Sequence, residues 1–161
     1  MEKELLVNMV LTGWQSINKR IEKLVDGLTE EQLQAEVAPG RNRGIYLVGH
    51  MATVSDMMLP LLGLGAALKP DYQAIFVSSP DKAVKELPST TEVKNYLKEV
   101  NNTLNAQFAK LTADDWLKKH TQVSDEDFAK EPHRNRLNII LSRTSHHNYH
   151  LGQLAFLQPK A

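Results

Sequence analysis

Apolar residues at intervals of three and four positions divide the chain into four amphipathic segments. This spacing predicts helices over about residues 3–26, 43–62, 90–111 and 134–157, because side chains three or four positions apart share one face of a helix. No segment is rich in β-forming residues, so the pattern indicates an all-α fold, a four-helix bundle. The stripe of the first predicted helix contains Leu6, Val10, Gly13, Ile17, Ile21, Leu24 and Leu28.

Polar residues and prolines mark where these helices begin and end. Thr29 with Gln32, and Ser89 with Glu92, have the spacing of capping boxes, in which a hydroxyl and a longer polar side chain satisfy the first amides of a helix. The segment LTADDWL at 111–117 repeats the capping pattern of LTEEQL at 28–33. Long connections, 63–88 and 112–133, follow helices two and three. Connections of that length can cross a bundle, so a simple up-down-up-down topology is not required.

Composition and charge narrow the class of protein. The length of 161 residues fits one domain over 1–161, with a core that needs no disulfides. Nineteen basic residues balance nineteen acidic ones, which argues against binding to nucleic acid. No apolar run is long enough to cross a membrane, and the start MEKELLVNMVLTGW lacks the features of a secretory signal. We therefore expect a cytoplasmic protein without membrane contact.

The chain contains no cysteine and six histidines, three of them in the stretch TSHHNYHLGQL at 144–154. His146 and His150 are four positions apart, and His147 and His150 are three apart, so either pair can share a helix face. The helical wheel does not choose between the pairs. His120 and His133 fall in polar connecting segments, where solvated side chains without a function are expected.

His50 lies on the apolar face of the second predicted helix. One interpretation is a core histidine satisfied by a hydrogen bond. The other is a metal ligand, because His50 together with a pair from the last helix would supply three nitrogens and leave an open position, as in catalytic metal sites. A metal ion would also give three buried imidazoles a common partner.

GHMATVSDMM at 49–58, followed by HHNYHLGQL at 146–154, resembles the DinB/YfiT-like family of metal-dependent four-helix-bundle proteins. The resemblance implies that His50, His146 and His150 hold one divalent metal ion, and it selects His146 over His147. Leu151 departs from the arginine that many members have, which puts the transfer of any specific substrate in doubt. The resemblance also implies homodimers and, in some members, thiol-dependent transferase chemistry with a low-molecular-weight thiol.

Three further residues are candidates for roles beside this site. Tyr46, one turn before His50, can offer its phenol to a water held by the metal, although a core tyrosine would have the same position. Arg143 is nearly in line with His150 and can contact an anionic group of a substrate. Gln153 can hydrogen-bond a ligand histidine through the ring nitrogen that does not bind the metal.

These observations favour a metal-dependent enzyme that acts on a small molecule, and the reaction that the resemblance implies is a thiol-dependent S-transfer. The alternatives are a metal-dependent hydrolase, a metal-binding or stress-related protein without turnover, and a structural bundle with polar core histidines. Imidazole ligands suit several divalent ions, with zinc or nickel expected first and iron next. Apolar residues beyond a single stripe, namely Leu5, Met9, Ile139 and Leu157, predict a homodimer.

Overall fold

The computed structural model describes residues 1–159, and this part of the chain is helical without a named strand. The expected all-α class is confirmed. No helix within 1–159 is both long enough and apolar enough to cross a membrane. Nine α-helices and one 3-10 turn follow in the order α1 (Glu2–Gly27), α2 (Glu30–Gln34), α3 (Gly44–Asp56), α4 (Met58–Leu61), α5 (Tyr72–Phe76), α6 (Thr90–Phe108), α7 (Ala113–Trp116), α8 (Asp125–Lys130), α9 (Arg136–Leu154) and the turn Ala155–Leu157.

The four long helices α1, α3, α6 and α9 pack around one apolar core. Helix α6 runs antiparallel to α1, since Lys94 Nζ donates to the Leu28 carbonyl and the later Asn101 reaches back to Glu22. Helix α9 runs antiparallel to α3. His146 contacts His50 in the middle of α3, whereas the earlier Arg136 lies beside Gly63, which follows the end of α3.

Helices α1 and α9 lie side by side and run parallel. Trp14 contacts His147, and later residues of both segments, Gly27 and Gln158 among them, line one groove. Helices α3 and α6 must then also be parallel to each other, and the topology is up-down-down-up. The connection 63–88 therefore runs the length of the bundle between them, as its length allows.

The three predicted capping patterns are present. The hydroxyls of Thr29, Ser89 and Thr112 each accept the amide three residues later, and the side chains of Gln32, Glu92 and Asp115 accept the amide of the capping residue. Each pair satisfies two amides that a helix start would otherwise leave without partners. The short helices α5 and α8 within the long connections were not predicted, and α7 was indicated only by its capping pattern.

The second predicted helix is interrupted at Met57, so that α3 ends at Asp56 and α4 begins at Met58. Pro60 explains the interruption, because a proline ring clashes with the carbonyl four residues earlier and has no amide hydrogen to donate. The last predicted helix likewise ends earlier, at Leu154, and tightens into the 3-10 turn before Pro159.

The core face of α1 differs from its predicted stripe at the amino-terminal half. Leu6 and Gly13 were assigned to the stripe, but Leu6 is 61% exposed and Gly13 is exposed. The helix instead buries Val7 and Trp14, which are the next residues in each case. Burying the large indole removes more apolar surface from water than burying a glycine, so it decides the rotation of the helix.

Candidate metal centre

His50 is held in a defined tautomer by a residue of another helix. Its Nδ1 lies 2.7 Å from the carbonyl oxygen of Phe76 at the end of α5. A carbonyl only accepts, so Nδ1 carries the proton and Nε2 carries a free lone pair. The ring of Tyr46 stacks beside the imidazole, with 6.3 Å between the ring centroids. The lone pair of His50 therefore points away from α5, toward α9.

His150 is oriented in the same way from its own helix. Its Nδ1 donates to Gln153 Oε1 at 2.7 Å, and the Gln153 amide nitrogen donates in turn to the Tyr149 hydroxyl at 3.3 Å. This arrangement leaves Nε2 of His150 as an acceptor. Gln153 therefore orients His150, one of the three candidate ligands, which is the kind of supporting contact expected of it.

His146 brings the third nitrogen into the same space. Its Nε2 lies 3.2 Å from Nε2 of His50 and 2.9 Å from Nε2 of His150. Ligand atoms of these three residues all lie within 4.8 Å of one another. A proton on Nε2 of His146 can serve only one of its two neighbours, so at least one lone pair lacks a donor. A divalent cation accepts all three lone pairs at once, and the three histidines fit such an ion.

Burial keeps this group of imidazoles neutral. It lowers the pKa of His50 and of His150 below the usual value for histidine. Burial, with the charges of His150, His50 and Arg143, lowers the pKa of His146 to about 4. Metal binding requires neutral imidazole, so near pH 7 no proton has to leave before an ion can bind.

His147 faces away from this cluster although it is the neighbour of His146. It is fully buried, and its two ring nitrogens contact Asn18 Oδ1 and Ser55 Oγ, each at 3.1 Å. The ring also packs against Trp14, with 4.9 Å between centroids. Both nitrogens are therefore engaged inside the core, and the geometry favours His146 as the ligand. Asn18 and Ser55 were not anticipated; polar residues at core positions of α1 and α3 were their only signal in the sequence.

The two residues assigned to catalysis have different surroundings. The Tyr46 hydroxyl donates to the Ser79 carbonyl at 2.7 Å, so it ties the connection 63–88 to α3. Arg143 is half-buried one turn before His146, and its Nε is buried without a hydrogen-bond partner within residues 1–159. Its positive charge contributes to the lowered pKa of both His50 and His146. A catalytic role for either residue stays a prediction.

His120 and His133 lie outside the three-histidine cluster. The side chain of His133 is exposed, and His120 accepts the amide of Gln122 within its own loop. Neither therefore contributes to the centre, and both serve as natural controls for substitutions in it.

Comparison with known families shows that residues 15–154 match a model described as the DinB superfamily. The matched region contains His50, His146 and His150. No curated protein matches the chain.

Proposed function

The chain belongs to the DinB superfamily, and from this membership together with the converging imidazoles we propose that it is a metal-dependent enzyme with one divalent cation on His50, His146 and His150. The observation that supports the proposal most directly is the convergence of three Nε2 atoms, two of them with lone pairs fixed by hydrogen bonds at Nδ1. A purely structural bundle would not need three acceptors in one place, because buried polar atoms ordinarily meet donors.

Zinc or nickel is the metal we expect first, with iron as the next candidate. The ligand set is three neutral nitrogens without a carboxylate or a thiolate, and imidazole suits each of these ions. Three protein ligands also leave coordination positions open, which is typical of catalytic rather than structural sites.

The proposed reaction is a transfer that uses a low-molecular-weight thiol. A divalent cation at an open site acts as a Lewis acid and lowers the pKa of a thiol or a water. The chain has no cysteine, so the thiol must come from a cosubstrate. What the protein supplies is the orientation of His50 by the Phe76 carbonyl and of His150 by the side-chain oxygen of Gln153.

Arg143 is the residue that we propose contacts an anionic group of the substrate. Three neutral ligands leave the charge of a divalent ion uncompensated, and no acidic side chain within residues 1–159 forms an ion pair with Arg143. A centre with this excess of positive charge favours a substrate with a negative charge. The Tyr46 hydroxyl donates to the Ser79 carbonyl of the connection 63–88, and its ring lies beside His50. We therefore propose that Tyr46 helps to position His50 and this connection.

The metal site is tested by elemental analysis of protein purified without added metal or a histidine tag. Alanine in place of His50, His146 or His150 should each lower the metal content sharply, because each removes one of three ligands. His120→Ala and His133→Ala should leave it unchanged. Loss of metal in His147→Ala but not in His146→Ala would show that the ligand assignment is wrong.

The reaction is tested by loading the protein with cobalt and titrating small biological thiols while recording the visible spectrum. A sulfur-to-metal charge-transfer band in the wild type, absent in His50→Ala, would support thiol transfer. If no thiol changes the spectrum, a metal-dependent hydrolase becomes the better hypothesis, and Tyr46→Phe is the variant to assay. Metal binding without either activity would indicate a protein that binds metal without turnover.

A further inference from the structure

A cleft of about 310 Å³ lies where the end of α9 meets the loop that joins α2 to α3. Tyr149, Gln153 and Phe156 line one side of it. They are four and three positions apart, so they share one face of α9 and of the turn that continues it. Residues of the loop line the other side: Val37, Ala38 and Arg41.

A tight turn fixes the backbone of this loop. The segment APGR at 38–41 places proline second and glycine third, and Gly40 has a φ of 72°. These are the features of a type II turn, whose third residue needs a positive φ. The Arg41 amide closes the turn by donating to the Ala38 carbonyl at 2.9 Å. The sequence of the turn therefore determines where the arginine side chain leaves the loop.

Arg41 gives the cleft its charge. Among residues 1–159 it is the one charged residue that lines the cleft, and no carboxylate of this part forms an ion pair with it. Glu36, the acidic residue nearest in sequence, is already engaged by Lys82 and by the Gly40 amide. A guanidinium presents a planar fork of donors that matches a carboxylate, and its single positive charge balances a single negative one.

Two aromatic side chains give the cleft its apolar surface. Tyr149 is 65% exposed and Phe156 is 78% exposed, although rings of this size usually bury most of their surface. Aromatic pairs also gain from stacked or edge-to-face contacts, which an aliphatic group does not make. An apolar lining of this volume with one convergent charged group is typical of small-molecule sites.

We infer that this cleft binds a small aromatic carboxylate, with the carboxylate on Arg41 and the ring against Tyr149 and Phe156. The inference goes beyond the proposed function and does not require a bound metal, because no member of the three-histidine cluster lines the cleft. Gln153 contacts both places, since its Oε1 accepts from His150 Nδ1 at 2.7 Å and its side chain also lines the cleft. Its side-chain amide is therefore a reporter of the position of the ligand.

The binding test is a titration of the full chain with benzoate, followed by nuclear magnetic resonance of the amide groups. Benzoate should shift the side-chain amide signals of Gln153. Benzylammonium, which has a similar size and the opposite charge, should not bind. Cyclohexanecarboxylate, which keeps the charge but lacks the aromatic ring, should bind more weakly than benzoate. A second titration in the presence of EDTA should give the same affinity, because the site contains no metal.

Arg41→Gln should weaken benzoate binding about tenfold or more, because hydrogen bonds to a charged group are lost. Arg20→Gln changes an exposed arginine of α1 outside the cleft, so it is the matched control and should leave the affinity unchanged. Phe156→Leu should also weaken binding, because it replaces the ring with an aliphatic group. Arg41 and Phe156 are both exposed, so their variants should keep the unfolding temperature of the wild type.

Three results would overturn the inference: equal affinity for benzoate and benzylammonium, an affinity that Arg41→Gln leaves unchanged, or binding that does not shift the Gln153 signals. Cyclohexanecarboxylate that binds as tightly as benzoate would refute the aromatic class of the ligand. Loss of benzoate binding in EDTA would show that the probe had bound a metal ion, which would support the proposed function and remove the separate site.

Discussion

At the scale of single residues, the centre depends on which ring nitrogen each histidine commits to the protein. His50 and His150 use Nδ1 for a hydrogen bond and present Nε2 to the centre. His147 uses both nitrogens inside the core. One position along an α-helix corresponds to a rotation of about 100°, which is why the adjacent residues His146 and His147 face the candidate metal centre and the packed core respectively. Substitution of a residue that holds a ligand histidine in this way typically lowers metal affinity about 10- to 100-fold.

The buried state of His147 predicts that the metal-free protein loses stability in mild acid. Burial lowers the pKa of His147 to about 3 in the folded protein, whereas an unfolded histidine takes up a proton near pH 6.5. Neutral His147 thus makes its full contribution to the free energy of unfolding above about pH 6.5. This contribution decreases as the pH falls from there toward 3. His147→Gln removes the titrating group. It should reduce the slope of the free energy of unfolding against pH by up to about 1.4 kcal/mol per pH unit.

Urea denaturation of the metal-free protein at a series of pH values measures this effect. His133→Gln is the control, because its side chain is exposed, and it should keep the slope of the wild type. Equal slopes for the wild type and His147→Gln below pH 6.5 would show that His147 is protonated in the folded state.

At the scale of elements, the position of α5 depends on a close approach to α3. A Cβ atom added at Gly49 would lie 2.3 to 2.5 Å from atoms of the Phe76 ring, which is fully buried. Only glycine leaves room for the ring at this point. Because the Phe76 carbonyl holds Nδ1 of His50, the contact between two helices also determines the orientation of a proposed metal ligand.

Gly49→Ala should therefore weaken both the fold and the metal site. The added methyl group must displace the Phe76 ring, and overpacking of this kind costs about 1–3 kcal/mol. Metal affinity should fall about tenfold or more as the hydrogen bond to His50 is disturbed. Gly13→Ala is the matched control, since nothing lies within 4 Å of its added Cβ, and it should stabilise α1 by about 0.5–1 kcal/mol. Thermal unfolding and metal titration of both variants measure the two effects, and wild-type values for Gly49→Ala would contradict the prediction.

At the scale of the whole molecule, α1 and α9 share an outer surface without charges. Residues 5–18 contain no charged side chain, and neither do residues 144–159, although 24% of the chain is charged. Leu5, Leu6 and Met9 are each more than 60% exposed, and Leu141 is 49% exposed. Ile139 and Leu157 were expected to extend this surface, but Ile139 packs partly against the core and Leu157 is buried in it. The exposed apolar side chains of α1 and α9 therefore include Leu5, Leu6, Met9 and Leu141.

We propose that this surface joins two copies of the chain in a symmetric dimer. Exposed apolar side chains on neighbouring parallel helices bury best against an equal surface, and a two-fold pair is the commonest such arrangement. Analytical ultracentrifugation should show a dimer that Met9→Lys or Leu141→Lys dissociates without loss of metal. Val77→Lys, which places the same charge on another exposed apolar residue, should leave the dimer intact. An 18.1 kDa species alone at micromolar concentration would refute the proposal.

Features that depend on neighbours in the sequence could be predicted from the sequence alone. The four long helices follow from apolar residues at intervals of three and four, and the three capping boxes follow from pairs three residues apart. The same periodicity placed His50 on an inward face and gave His146 and His150 a common face. Such features involve contacts within one or two helical turns, whose geometry is nearly the same in every protein.

The tertiary structure decided everything that depends on residues far apart in the chain. Phe76 is 26 positions from His50, and no local pattern connects the two residues. The engagement of His147 by Asn18, at a separation of 129 positions, is likewise visible only once α1 and α9 are packed together. The rotation of α1 toward Trp14 has the same origin, because the burial of a side chain depends on the surfaces that meet it. Periodicity limits each helix to a range of orientations, and the contacts between helices select one of them.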